Sequence, residues 1–173
     1  MTLLAAISEV IDGDWLSVEP VRVGRVPPGV GTPACYVTLT EDDRPVLRLD
    51  VYPHEPDCYP FQQALVWRDN LIVGFGSYVY AISVADRSTV TISLGAYFGH
   101  LYQTRDYLLL ASGEGLFRME PDRSILWKNQ ELGIDGVVVH EPNPPVVRGE
   151  GEWDPPGGWR PFAVMASDGK PAS

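Results

Sequence analysis

The sequence predicts an all-β protein, and three observations support this fold class. Short runs in which every second residue is apolar recur along the chain, as in Cys35–Thr40, and such runs are typical of half-buried strands. A helical spacing of apolar residues is not sustained anywhere, so at most residues 2–10 are expected to form a short helix. The third observation is a unit of strands that repeats after 36 or 37 residues from Leu71 onward.

The length of 173 residues suits a single domain, 1–173, with an N-terminal hairpin region (1–60) and a repeat region (62–170). Apolar residues make up 45% of the chain, so it can build a core without a metal ion or a disulfide. No secretory leader and no apolar run of membrane-spanning length are present, which predicts a cytoplasmic protein without a membrane partner. In that compartment Cys35 and Cys58 are expected to be reduced, and a disulfide between them is the alternative.

The predicted strands follow one another with short turns. Cys35–Thr40 and Val46–Val51 flank an acidic tripeptide and form a hairpin. Further strands are predicted at 64–67, 71–76, 78–84 and 89–94. The chain holds 16 prolines, none of them between Phe61 and Glu120, and this segment should therefore contain the most regular structure.

The repeat aligns Leu71–Val90 with Leu108–Leu126, and both copies contain the sequence Asp-Arg-Ser, at 86–88 and 122–124. A looser third copy runs from Val146 to Lys170. Each unit is interpreted as four short strands with one glycine-containing turn and one Asp turn. Four strands per ~40 residues is the period of β-propeller blades.

These units resemble the quinoprotein-type and WD-type β-propeller repeats over about residues 62–170. The features that match are the apolar strand ending in glycine, the aromatic strand after it, the Asp turn and Trp127 one strand later. The resemblance implies antiparallel four-stranded sheets, about three blade-like units, in an incomplete or small propeller. A second copy could complete the ring as a homodimer, and the same strand spacing also allows a β-sandwich.

The net charge of −10 is concentrated in two segments. Residues 1–20 carry four acidic side chains and no basic one, and residues 131–154 carry six acidic side chains against Arg148. Such surfaces repel a phosphate backbone, so nucleic acid is excluded as a partner and a basic protein is favoured. Solvated acidic loops that aid solubility are the alternative interpretation.

Signatures of nucleotide binding, of serine hydrolases and of zinc proteases are absent from the sequence, and no cofactor is expected. Gly74, Gly76, Gly113 and Gly115 are interpreted as turn residues that need a positive φ. His54, Asp57 and Cys58 share one loop and are weak candidates for a metal site, because their spacing matches no standard zinc pattern.

The segment 150–162 has the composition of a recognition loop. Two tryptophans flank Pro-Pro-Gly-Gly, with acidic residues on one side and an arginine on the other. Tryptophan and arginine are enriched at interface hot spots, whereas two aromatic rings across a hairpin also stabilise it without any binding role. The candidate binding residues are Glu150, Glu152, Trp153, Asp154, Trp159 and Arg160.

The function predicted on this basis is a non-catalytic protein-binding module with an acidic face, for example an inhibitor or immunity-type protein that binds a basic partner. It requires 1–20 and 131–154 to lie side by side. A hydrolase-like enzyme is the first alternative, in which at least two of His54, Asp57, Asp135 and His140 would have to share a pocket. The second alternative is a structural or scaffold protein.

Overall fold

The fold is known from a computed structural model, which describes residues 2–54 and 60–172. Over these residues the chain forms strands and one 3₁₀ turn, Gly13–Ser17, without an α-helix. No helix in the described ranges is long and apolar enough to cross a membrane. The all-β prediction is confirmed, and the strands belong to four sheets of three or four strands each.

The sheets follow one another along the chain. The first contains β1 (Leu3–Ser8), β2 (Pro20–Gly24), β3 (Cys35–Glu41) and β4 (Arg44–Tyr52), ordered β1-β3-β4-β2, with β2 parallel to β4. The second is the meander β5 (Gln62–Trp67), β6 (Asn70–Phe75), β7 (Tyr78–Ser83) and β8 (Thr89–Ser93). The third is the meander β9 (Phe98–Gln103), β10 (Leu108–Ser112), β11 (Leu116–Met119) and β12 (Ile125–Asn129). The fourth contains β13 (Val137–Glu141), β14 (Val146–Glu152) and β15 (Trp159–Met165).

The short helix expected at residues 2–10 is wrong, because the segment contains β1. This strand pairs antiparallel with β3, from Leu3 opposite Glu41 to Ser8 opposite Tyr36. Its exposure alternates residue by residue, and Leu3, Ala5 and Ile7 pack on the core. A short apolar run does not distinguish a helix from a strand by itself, so the pairing with β3 decides its conformation.

The four sheets pack face to face in a row. Three buried clusters join the first sheet to the second, the second to the third and the third to the fourth. None of these clusters joins the first sheet to the fourth within the described residues. The first strand of each sheet contacts the first strand of the next sheet: β1 contacts β5, β5 contacts β9 and β9 contacts β13. A two-sheet sandwich is therefore not formed.

The repeated Asp-Arg-Ser turns have the same geometry. In each turn the Asp carboxylate accepts bonds from the Ser backbone N–H and hydroxyl, at 2.9 and 2.7 Å for Asp86 and at 3.0 and 2.6 Å for Asp122. The arginine between them has a positive φ, 60° at Arg87 and 70° at Arg123. The third copy has Gly169 in this position, with φ 70°, and Asp168 accepts the Lys170 N–H. The sequence repeat is thus a structural repeat.

The explanation of the repeat glycines by positive φ is correct only for Gly76, at 62°. The other three are required by close packing. A Cβ at Gly74 would lie 2.2 Å from the Phe98 ring, and a Cβ at Gly113 would lie 2.7 Å from the Tyr97 ring. A Cβ at Gly115 would lie 2.0 Å from the carbonyl oxygen of Asn129. These glycines let neighbouring strands and sheets approach each other.

Side chains bond neighbouring sheets at positions about one repeat apart. The Trp127 indole donates to the Ala166 carbonyl at 2.8 Å, and the Tyr107 hydroxyl donates to the Pro142 carbonyl at 2.6 Å, both from the third sheet to the fourth. Between the second and third sheets, Arg123 donates to the Ser88 carbonyl at 2.8 Å. Such bonds bring side-chain donors to backbone carbonyls at the ends of strands, and the Ser88 carbonyl also accepts the Ser83 N–H at 2.9 Å.

Candidate binding surface

The candidate binding residues lie in the fourth sheet, on and beside the hairpin that joins β14 to β15. Glu152 is opposite Trp159, the last pair of the ladder, and the Trp153 N–H donates to the Gly158 carbonyl at 2.9 Å. The turn itself is closed by the Gly158 N–H on the Asp154 carbonyl at 3.0 Å. The structure therefore places the predicted segment at the exposed end of this sheet.

The two tryptophans are not a cross-strand pair, so that structural explanation of the segment is wrong. Trp159 lies opposite Glu152, whereas Trp153 follows the ladder and has the Arg160 guanidinium 5.8 Å from its ring centre. Successive residues of a strand point to opposite faces, and Trp159 and Arg160 are successive. The hairpin thus presents one tryptophan on each face.

Trp159 and Glu152 form the exposed aromatic and acidic part of the surface. Trp159 keeps 42% of its surface accessible, and its ring passes over Gly136, where a Cβ would lie 3.0 Å from it. The Glu152 carboxylate accepts the Gly157 N–H at 2.6 Å. The absence of a side chain at Gly136 therefore lets the Trp159 ring pack there, and the Glu152 carboxylate stabilises the adjacent turn.

More charged groups lie along the same sheet. The imidazole of His140 is 3.3 Å from the Glu150 carboxylate, and Arg148 is 3.5 Å from that of Glu141. The partner of His140 is thus Glu150 on the adjacent strand and not Glu141, the next residue in the chain. All four side chains are between 45% and 68% exposed, and three of them, His140, Glu141 and Arg148, line a cavity of about 480 Å³ at the β13–β14 loop.

Tyr97 connects the third sheet to this region. Its hydroxyl donates to the Asp135 carbonyl, and its ring lies 6.3 Å from that of Phe61. Burial, together with the charges of Asp135 and Glu152, raises the pKa of Tyr97 to about 12. Sequence analysis did not identify Tyr97, because its neighbours in the surface are almost 40 positions away along the chain.

The weak metal candidates are only partly described. His54 stacks on Tyr78 at 3.9 Å, at the junction of the first two sheets, whereas Asp57 and Cys58 lie outside the described residues. Within 2–54 and 60–172 no three metal-ligating side chains of the His, Cys, Asp or Glu type converge. Cys35 is buried in the cluster between the first two sheets, and its burial raises the pKa of the thiol to about 12, which disfavours the reactive thiolate.

Other predicted residues are far apart in the row of sheets. His54 is at the first junction, whereas Asp135 and His140 belong to the other end, where His140 but not Asp135 lines the cavity at the β13–β14 loop, so His54 does not converge with the other two. The acidic segments 1–20 and 131–154 lie in and around the first and fourth sheets. No buried cluster of the described residues joins them, and their placement side by side stays a prediction.

Comparison with known proteins does not assign a family to this arrangement. The chain matches no protein-family model, and no curated protein is similar to it in sequence.

Proposed function

We propose that this chain is a non-catalytic protein-binding module that binds a basic partner protein through the fourth sheet. The observation that carries the proposal is the exposed Trp159 beside the carboxylate of Glu152, at the end of the row of sheets. The proposed surface consists of the six candidate residues on and beside the β14–β15 hairpin: Glu150, Glu152, Trp153, Asp154, Trp159 and Arg160. An inhibitor or immunity-type protein is the version that suits this chemistry.

Charge supports a cationic partner. Residues 131–154 have a net charge of −5, and their Glu141 and Glu150 carboxylates are about half exposed. A surface of one sign accelerates the approach of an oppositely charged protein and repels like-charged ones. Salt screens this attraction over about 10 Å at 0.1 M, so binding is expected to weaken as salt is added.

Aromatic anchoring supports a specific contact at the same place. Tryptophan is among the residues most enriched at binding hot spots. The hairpin that holds Trp159 is bonded at Glu152, Trp153 and Gly158, so the ring is already positioned. An anchor that is fixed before binding loses less conformational entropy in the complex.

The arrangement of the four sheets supports a propeller-type architecture, which belongs to this proposal. Each of the last three sheets is an antiparallel meander, the strands β1, β5, β9 and β13 neighbour one another, and the Asp turns repeat. In such a row of sheets the first and fourth sheets are the natural places for a partner, since only one face of each packs on another sheet.

A second copy of the chain is disfavoured as the occupant of these ends. Residues 1–52, which form the first sheet, contain eight acidic and four basic side chains, a net charge of −4. Residues 131–173 contain seven acidic and three basic ones, also −4. Head-to-tail contact between two copies would bring together surfaces of the same sign, which is unfavourable.

The test uses a fluorescent oligoarginine peptide as the basic probe, with anisotropy measured over a range of salt. We expect Glu150→Gln/Glu152→Gln and, separately, Trp159→Ala each to weaken binding by about ten-fold. Gln at 152 keeps an oxygen for the Gly157 N–H, so the turn is preserved. Asp69→Asn/Asp106→Asn is the control, because it removes the same charge from exposed turns at β5–β6 and β9–β10.

The proposal is overturned if the probe does not bind, if binding is insensitive to salt, or if the control weakens binding as much as the two surface variants do.

A further inference from the structure

The outer face of the first sheet is a second candidate surface, at the opposite end of the row. The inner face of this sheet packs on the second sheet through alternate residues of β1, β3 and β4. Its outer face carries the intervening residues, which include Leu4 and Ala6 of β1 and Arg48 and Asp50 of β4.

The chain itself covers the β4 half. Arg48 and Asp50 form a two-bond ion pair, at 2.8 and 3.0 Å, and the side chain of Asp50 is only 5% exposed. A further bond of 3.2 Å joins Arg48 to the carbonyl of Trp15 in the 3₁₀ turn. The turn is therefore fixed over β4, and it buries this pair.

Apolar side chains remain exposed on the outer side of this sheet, both in the β1 segment and on the 3₁₀ turn. Leu4 is 59% exposed on β1, Val10 is 74% exposed in the loop after it, and Leu16 is 65% exposed on the 3₁₀ turn. Of the nine large apolar residues that the described chain exposes, five lie between positions 4 and 30. Leu4 lies on the outer face because Leu3, Ala5 and Ile7 pack inward, and Leu16 lies on the turn that covers β4 on the same face. Exposed apolar residues that share one face indicate an interaction site.

The charges beside this region select the partner. Glu9, Asp12, Asp14 and Glu19 are all exposed, and residues 1–20 contain no lysine or arginine. The second copy is disfavoured here for the reason given above, since both ends of the chain are acidic. An occupant with apolar side chains flanked by lysine or arginine complements both properties.

We infer that the outer side of the first sheet, with Leu4 of β1, Val10 of the loop after it and Leu16 of the 3₁₀ turn, binds an amphipathic basic segment of a partner protein. This surface is distinct from the fourth-sheet surface and does not depend on it. A chain with both surfaces holds cationic partners at its two ends.

The experiment maps a labelled peptide of leucine and lysine on the ¹⁵N-labelled protein by NMR. The protein carries Trp159→Ala/Glu150→Gln/Glu152→Gln, which removes the proposed fourth-sheet surface. Peptide bound at that surface therefore cannot contribute to the shifts, and the outcome does not depend on the proposed function. Two further peptides are compared, in which serine replaces leucine or glutamate replaces lysine. We expect amide shifts at residues 4–16 with the leucine–lysine peptide and about ten-fold weaker binding of the other two.

A matched pair of variants identifies the residues. Leu4→Ser/Leu16→Ser should weaken binding by about ten-fold, whereas Leu126→Ser should leave it unchanged, because Leu126 is similarly exposed (54%) but lies on β12 of the third sheet. All of these positions are exposed, so the variants should fold, and NMR spectra without peptide check this. Shifts confined to other sheets, equal binding of the three peptides, or no binding would overturn the inference.

Discussion

The inner sheets and the end sheets of this protein differ in how many faces they bury. Every residue of β6 and of β10 is buried, because the second and third sheets pack on both sides. In β1 half-buried and exposed residues alternate, and β13 and β14 expose charged residues between buried valines and glycines. The inner sheets therefore bury both faces, whereas each end sheet buries one face and leaves on the other side chains that can differ without loss of the fold.

Charge follows the same division. The segments that contain the first and fourth sheets, 1–52 and 131–173, have a net charge of −4 each, whereas 53–130 has −2. A sheet with two buried faces has little room for ionised groups, because an unpaired buried charge is costly. The end sheets are free of that constraint on one face, and the acidic residues are found there.

The largest expected effect comes from truncating the core of the inner sheets. Ile72→Ala and Leu110→Ala, at fully buried positions, should each lower the free energy of unfolding by about 2–5 kcal/mol. Leu4→Ala at the open end should change it by less than about 0.5 kcal/mol. Urea unfolding of the three variants measures the difference. Equal losses would mean that the end face is covered and that the comparison is wrong.

A smaller effect is expected at the junction with the fourth sheet. Trp127→Phe removes the 2.8 Å bond to the Ala166 carbonyl and should cost about 0.5–1.5 kcal/mol in urea unfolding. Trp67→Phe is the control within the inner pair, because its indole bond to the Thr104 carbonyl is longer, at 3.4 Å, and weaker. A greater cost at Trp67 would contradict this order.

The smallest effect concerns the repeated turns, and it depends on pH. Bonds from Ser88 lower the pKa of Asp86 from 3.8 to about 2, and bonds from Ser124 lower the pKa of Asp122. A pKa that is lower in the folded chain stabilises the fold above the unfolded value and ceases to do so as pH falls through the folded value. Asp86→Ala/Asp122→Ala should therefore lower the melting temperature at neutral pH but not near pH 2.

The control for these turns is Asp69→Ala/Asp106→Ala, which removes two exposed carboxylates from the β5–β6 and β9–β10 turns. Its melting temperature should stay close to that of the parent across the acid range. A pH-independent loss in the Asp86/Asp122 variant would show that the carboxylates do not act through their ionised form.

Much of the local structure is predictable because it depends on neighbours in sequence. The hairpin of β3 and β4, the strands of the second sheet and the Asp turns were all identified from alternation and turn residues. β1 was not, since its pairing with β3 involves residues almost 40 positions away. The tight contacts that require Gly74, Gly113 and Gly115 were also missed, because sequence reasoning considered only backbone conformation.

By itself, the sequence determined the all-β class, the repeated unit and the uneven charge, because periodicity, turn chemistry and composition act over a few residues. Only the tertiary structure decided that the sheets form a row, that His140 pairs with Glu150 on the adjacent strand, and that Trp159 is the cross-strand partner of Glu152 in the fourth sheet. These facts depend on strand register and on packing between distant segments, and the same local pattern is compatible with several registers.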